Sequence, residues 1–191
     1  MPAKLPAIRV RADVGPAEVG ALAALAAAEA PWVVDTAEPA DPAPYAAVLA
    51  RIAPVARIWA GPAFRFPDDI PEATGAVLIT AANAALLEPH LPAWLPDVHT
   101  AQPMVVCPTD GAAAAVCGSV RRTPAAHEAG VETARAFRGR GYAARAVAAW
   151  ARAVRAAGAV PLYSTSWENR ASRALARRLG LIAFGSDLHL T

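Results

Sequence analysis

At 191 residues, 55% hydrophobic and 18% charged, the chain is long enough to bury one substantial core and too apolar to be disordered. Its net charge of +2 conceals two unlike halves. Residues 1–120 carry Lys4 and five arginines against twelve acids, a balance of −6, whereas residues 121–191 carry twelve arginines against four acids, a balance of +8. No apolar run reaches the ~18–20 residues of a membrane span, so no spanning helix is expected within these residues.

In chain order, Lys4, Arg9 and Arg11 precede alanine-rich Val19–Ala28 in the manner of a leader peptide, but Asp13, Pro16, Glu18 and Glu29 interrupt it, so export is not expected. Gly15 to about Ala30 reads as a helix, with Pro16 in its first turn and Pro31 ending it. Pro39, Pro42 and Pro44 mark a loop before a second helix around Tyr45–Ile52. A short strand is expected at Arg57–Ala60, and a linker from Pro62 to Pro71, where Asp68 and Asp69 lie. Residues 1–72 are thus expected to form a mainly helical extension without a chemical motif, and residues 73–191 the working domain.

Beyond the linker the rhythm changes. Ala76–Thr80 is a short buried-strand run ending in a helix cap, and Pro89 and Pro92 divide the helical residues near Asn83–Trp94 into two pieces. Met104–Cys107 and Ala112–Val120, joined by the turn-forming Pro108–Gly111, make a hairpin. Centred there, it pairs Cys107 with a position near Ala112 rather than with Cys117, so two free thiols and a reducing cytoplasm are expected. His127–Thr133 is a third strand of that sheet, followed by a helix at Tyr142–Ala157, a strand at Pro161–Thr165, a helix at Asn169–Leu179, and a last strand or hairpin at Leu181–Leu190. Ala143, Val147, Trp150 and Val154 give the long helix its apolar stripe, with Arg145, Arg152 and Arg155 turned away from it. Gly158 and Gly180 suit the C-caps of the two helices.

The most informative stretch is Arg138-Gly139-Arg140-Gly141-Tyr142-Ala143, between a strand and the long helix. Two glycines allow a tight turn, so backbone N–H groups converge on a phosphate at the helix N-terminus, and the interleaved arginines suit a polyanion. A dinucleotide fingerprint also fits the local letters. It is excluded by context, because the motif comes too late for a doubly wound sheet and the nearest following acid, Glu168, is too distant. A P-loop is excluded because no Gly-Lys-Ser/Thr follows.

Taken in order, the strand, Arg-x-x-Gly-x-Ala, long helix, short strand, and Asn169 opening a helix that closes on Gly180-Leu181 resemble the GNAT superfamily of acyl-CoA N-acyltransferases. The resemblance runs from about Ala76 to the end and is strongest over Glu128–Leu181. It implies an α+β fold with a mixed, mostly antiparallel central sheet flanked by helices, preceded here by the helical extension. It implies acetyl-CoA as co-substrate, and no metal. The backbone from Arg138 through Gly139, Arg140, Gly141 and Tyr142 to Ala143 would hold the pyrophosphate, with charge from Arg138, Arg140 and Arg135. Strand His127–Thr133 would line the pantetheine arm, the backbone of Val131–Thr133 would polarise the thioester carbonyl, and Asn169 and Ser172 would reach the pantetheine from the other side.

Acyl transfer to an amine needs a base, a polarised carbonyl and a proton for the leaving thiolate. Glu128 and Glu132 share one face of their strand and are both candidates for the base, or for structural pairing with arginines. His127 points to the other face and reads as structural. The family's usual acid tyrosine lies seven residues after the motif asparagine, where this chain has Ala176. Tyr163 is the alternative donor, or a core strand tyrosine, and Ser164, Thr165 and Ser166 are alternatives for holding a water. The expected activity is direct transfer in a ternary complex to a small-molecule amine drawn by the acidic N-terminal half. A non-catalytic CoA-binding or regulatory module is the alternative. Nucleic-acid binding is disfavoured, because the arginines lack the interleaved aromatics that stack bases. No membrane partner is expected, and a homodimer is compatible with the sequence.

Overall fold

The structure, a computed structural model, describes residues 8–29 and 41–191. Lys4, Pro31 and Pro39, used in the sequence reading, lie outside the described residues. The chain divides into two compact units, Met1–Pro62 with Phe184–Thr191, and Ala63–Ala183. The boundaries of these units fall inside two strands.

In the first unit, helix α1 (Pro16–Ala28) starts with Pro16 in its first turn and buries Leu22 and Ala26. Helix α2 (Ala43–Leu49) buries Val48, and Tyr45 of α2 hydrogen-bonds Glu29 just past α1. Arg57 and Thr191 exchange backbone bonds of 2.7 and 2.9 Å, and Trp59 meets His189 edge-on at 5.0 Å between ring centroids.

The strands are β1 (Ile58–Arg65), β2 (Val77–Leu78), β3 (Met104–Thr109), β4 (Ala112–Arg122), β5 (Ala126–Thr133), β6 (Val160–Ser164) and β7 (Ile182–Leu190), in the sheet order β2-β3-β4-β5-β6-β1-β7. The pairs β2–β3, β3–β4, β4–β5 and β1–β6 are antiparallel, and β5–β6 is parallel. A parallel pair needs a long crossover, and helix α3 (Tyr142–Ala156) supplies it. Helix α4 (Arg170–Arg178) follows β6. The expected α+β architecture is the one observed. No helix among the described residues is long and apolar enough to cross a membrane.

Two details correct the sequence reading. Residues Pro62–Pro71 are not a linker: Ala63, Phe64 and Arg65 pair with Ser164, Tyr163 and Leu162 of β6, and Phe66 and Ile70 are buried in the core. Four arginine bonds, one of them from Arg155 to the Phe66 carbonyl (3.3 Å), then fasten this segment to α3. Arg155 donates to the carbonyls of Asp68 (2.7 Å) and Pro67 (2.6 Å), and Arg152 to that of Ile70 (3.3 Å). Second, Cys107 pairs with Ala115 rather than near Ala112. The turn is only Asp110-Gly111, both at positive φ as a tight hairpin demands, and a bulge at Cys107/Pro108 shifts the register. Cys107 and Cys117 are buried, unjoined thiols, and burial pushes both above the ordinary thiol range.

One core lies between α3 and the sheet, with Cys107, Ala115, Cys117, Ala129, Tyr163 and the α3 residues Val147, Trp150 and Val154. The buried stripe of α3 starts at Ala144 and not Ala143. On the opposite face, Met104, Val106, Ala113 and Val116 pack beneath two short 3-10 helices, Ala81–Leu87 and Pro92–Asp97. Thr80 caps the first of these in a reciprocal capping box with Asn83.

Candidate active site

The arginine–glycine loop leads into α3 as its letters require. Gly139 and Gly141 sit at φ 76° and 82°, the left-handed region that costs other residues about 1 kcal/mol or more. Gly141 is the N-cap and has no side chain, so no side-chain oxygen covers the first-turn amides of this 15-residue helix. These N–H groups and the helix dipole favour an anion. Arg138 donates to the Thr133 carbonyl (3.3 Å), and Arg140 lies over the Phe137 ring at 5.9 Å. Tyr142 packs on Phe137 and carries Arg145 over its ring at 4.6 Å. A cleft of about 250 Å³ beside the loop has Glu72, Arg140, Arg145 and Arg178 among its lining residues. Helix start, turn and guanidinium groups all fit a pyrophosphate.

Next to the loop the central strands part. The β5–β6 ladder ends at Glu128 opposite Leu162, yet β5 runs on to Thr133 and β6 to Ser164. From Ala129 to Thr133, β5 therefore has ladder partners only in β4. Val131 and Thr133, expected to line a pantetheine arm, stand on this parted stretch.

From the α4 side, Asn169 caps its helix by accepting from the Ser172 N–H (3.0 Å). The Ser172 hydroxyl meets that of Tyr163 at 2.5 Å. Tyr163 is 1% exposed, and burial, outweighing the Ser172 bond, pushes its hydroxyl up to about 12. It holds its proton at neutral pH. The structure thus joins Tyr163 to Ser172 but separates it from the two glutamates, which stand on the other face of the sheet. Ala176 is buried in the core.

On that other face, Glu128 is ion-paired with Arg121 (2.5 Å) and accepts from the Ser164 hydroxyl (2.5 Å). Glu132, two residues beyond Gly130, is exposed and accepts one bond, from the indole N–H of Trp94 (2.8 Å). Sequence reading missed Trp94. It lies in the 3-10 helix Pro92–Asp97, 38 residues from its partner, and no local pattern marks it. The available signal was a pair of glycines inside strands, Gly118 and Gly130, which are cross-strand neighbours. A Cβ on Gly118 would stand 3.0 Å from the Trp94 ring, and one on Gly130 would stand 3.1 Å from it.

His127 takes the place expected for a structural histidine. It is buried on the α3 face, with its Nδ1 3.0 Å from the Ser119 hydroxyl, which also accepts from the Trp150 indole N–H at 3.0 Å.

This geometry defines a class: an α+β protein whose central sheet opens beside a helix start with no side-chain cap. The sequence profile of the acetyltransferase (GNAT) family matches residues 77–181, more than half of the chain. Among solved structures, the chain is similar to a GNAT-family protein from Novosphingobium aromaticivorans, with 24% identity, a TM-score of 0.61, and coverage of 71% of this chain and 65% of that one. It is also similar to a GCN5-related N-acetyltransferase-like protein from Streptococcus suis (18%, TM-score 0.54, 78% and 68%) and a GCN5-related N-acetyltransferase from Sphaerobacter thermophilus (19%, 0.53, 80% and 57%). At these identities the likeness is one of fold, and the chain spans just under two thirds of the Novosphingobium protein. No curated protein sequence matches it. The chain belongs to the GNAT family of acetyltransferases.

Proposed function

We propose that the protein moves an acetyl or other acyl group from coenzyme A to a primary amine of a small molecule, by direct attack in a ternary complex. The observation that carries this reading is the parting of β5 from β6 after Glu128 and Leu162, beside the uncapped start of α3. Acetyl-CoA would bring the acyl group already activated as a thioester. The first-turn amides of α3, with Arg138 and Arg140, hold its pyrophosphate, and the β5 backbone at Val131–Thr133 orients the acyl carbonyl. Glu132 is the better placed base. Among the described residues it accepts one hydrogen bond, from a neutral donor, whereas Glu128 is occupied by Arg121 and Ser164. Tyr163, which keeps its proton at neutral pH, is the candidate donor to the departing sulfur.

The test is thiol release from acetyl-CoA across a panel of amines, with Glu132→Gln, Glu128→Gln and Tyr163→Phe. Glu132→Gln is expected to lower kcat by about 10²-fold or more, as loss of a general base does, with a smaller loss for Glu128→Gln. Equal activity in all three variants and the parent would remove these roles. Coenzyme A binding without thiol release for any amine would favour a CoA-binding module, the reading to which Ala176 at the usual tyrosine position points.

A further inference from the structure

On the sheet face opposite α3, β5 presents Glu128, Gly130 and Glu132 in succession, and β4 sets Gly118 directly beside Gly130. The glycine pair leaves a shallow floor, and the half-buried Trp94 ring covers it so closely that a Cβ on Gly118 or Gly130 would stand 3.0 or 3.1 Å from the ring and push it outward. The ring is held at its edge, through the indole N–H bond to Glu132. Arg121 neutralises Glu128 at one end of this surface, while Glu132 at the other end is exposed and, among the described residues, meets a neutral donor and no cation. The result is an aromatic plate with one uncompensated carboxylate at its rim. An ammonium is attracted by both groups: by the carboxylate through its charge, and by the ring through its quadrupole. A second negative charge on the ligand would be repelled by Glu132.

Resting on the function proposed above, we infer that Trp94 and Glu132 together form the acceptor-recognition pair, and that the acceptor is a singly charged amine with an apolar body that lies on the indole. Trp94 acts in two ways. It supplies contact area, and it fixes the rotamer of Glu132 so that the second carboxylate oxygen faces the amine. It is a specificity and positioning residue, and it has no part in binding coenzyme A.

Three variants separate these statements. Trp94→Ala removes ring and bond, Trp94→Phe keeps an apolar ring without the N–H, and Glu132→Gln keeps an acceptor for the indole without the charge. The probes are 2-phenylethylamine, n-butylamine and the anionic-bodied 4-aminobutyrate, with KM and kcat from thiol release and Kd from calorimetry on the CoA-saturated protein. The parent is expected to prefer 2-phenylethylamine to 4-aminobutyrate by at least ~10-fold. Trp94→Ala should raise the KM and Kd for 2-phenylethylamine by about 10-fold or more and remove its advantage over n-butylamine, while discrimination against 4-aminobutyrate, set by Glu132, persists and the Kd for acetyl-CoA changes less than about twofold. Trp94→Phe should recover part of the affinity, and Glu132→Gln should weaken both cationic amines with the protein still folded. Unchanged acceptor KM and Kd in Trp94→Ala and Trp94→Phe overturn the inference and leave the proposed function standing. If the parent acetylates no amine, the proposed function fails and calorimetry still decides: equal amine affinity in parent and variants, or none in either, overturns the pair.

Discussion

His127 shows how a polar group is fixed inside a sheet. Its imidazole meets the Ser119 hydroxyl, and that hydroxyl also accepts from Trp150, so three polar groups are satisfied together. Burial first, and Arg122 second, lower the His127 pKa below its usual 6.5, so folding favours the neutral ring. The unfolded chain then binds more protons just below pH 6.5. This contribution is complete above that pH and declines as pH falls through the window toward the folded value. Denaturant unfolding at pH 7.5 and 5.5 should show a larger loss for the parent than for His127→Gln, which keeps a hydrogen-bonding group without the titration. Equal losses would refute the link. From sequence, the opposite facing of His127 and Glu128 followed from strand alternation alone. The Ser119 partner did not, because a bulge between Ser119 and Arg121 sets which residues of β4 meet β5.

Among the elements, α3 and its loop were the most legible, since left-handed glycines, an apolar stripe and a terminal Gly158 are all local signals. The ordering of that loop predicts how it fails. Gly141→Ala forces a Cβ into the left-handed region and toward the Arg178 guanidinium, 3.4 Å away. The strain of about 1–2 kcal/mol falls on the turn that presents the α3 amides. Coenzyme A affinity should drop about 10-fold by calorimetry, with Tm lower by only about 2–8 °C so that the variant is still folded, and an unchanged Kd would place the pyrophosphate elsewhere. β1 was the least legible element. Gly61 and Pro62 interrupt its pattern and Pro67, Asp68 and Asp69 follow it, so a strand of eight residues read as four and a linker. Its strand state is set by pairing with β6, a partner about a hundred residues away, and by Arg152 and Arg155, whose side chains bind backbone carbonyls at Pro67–Ile70. None of that is visible within a sequence window.

At the scale of the molecule, the sheet and core draw on residues that precede residue 73. A chain shortened to residues 73–191 loses Ala63–Arg65 from the edge of β6 and takes Phe66 and Ile70 out of the core. It is expected to have a Tm lower by more than 10 °C, or to be insoluble, because two buried apolar side chains and a strand pairing are removed together. A soluble product with the parent Tm would show β1 to be dispensable. The charge contrast belongs to this scale as well. The +8 half contains the arginine loop and the cleft arginines, so coenzyme A binding should weaken as salt screens them.

The place of β1 between β6 and β7 also sets an order of events during synthesis. At about 5–20 residues per second, β1 emerges some 5–20 seconds before the ribosome has made its partner β6. Through that interval it is an unpaired strand with nothing native to join. Pro62 in its middle lacks a donor, and Arg65 ends it with a charge, two devices that discourage a waiting strand from pairing with the wrong neighbour. The same proline that hides the strand from sequence reading protects the nascent chain until β6 arrives.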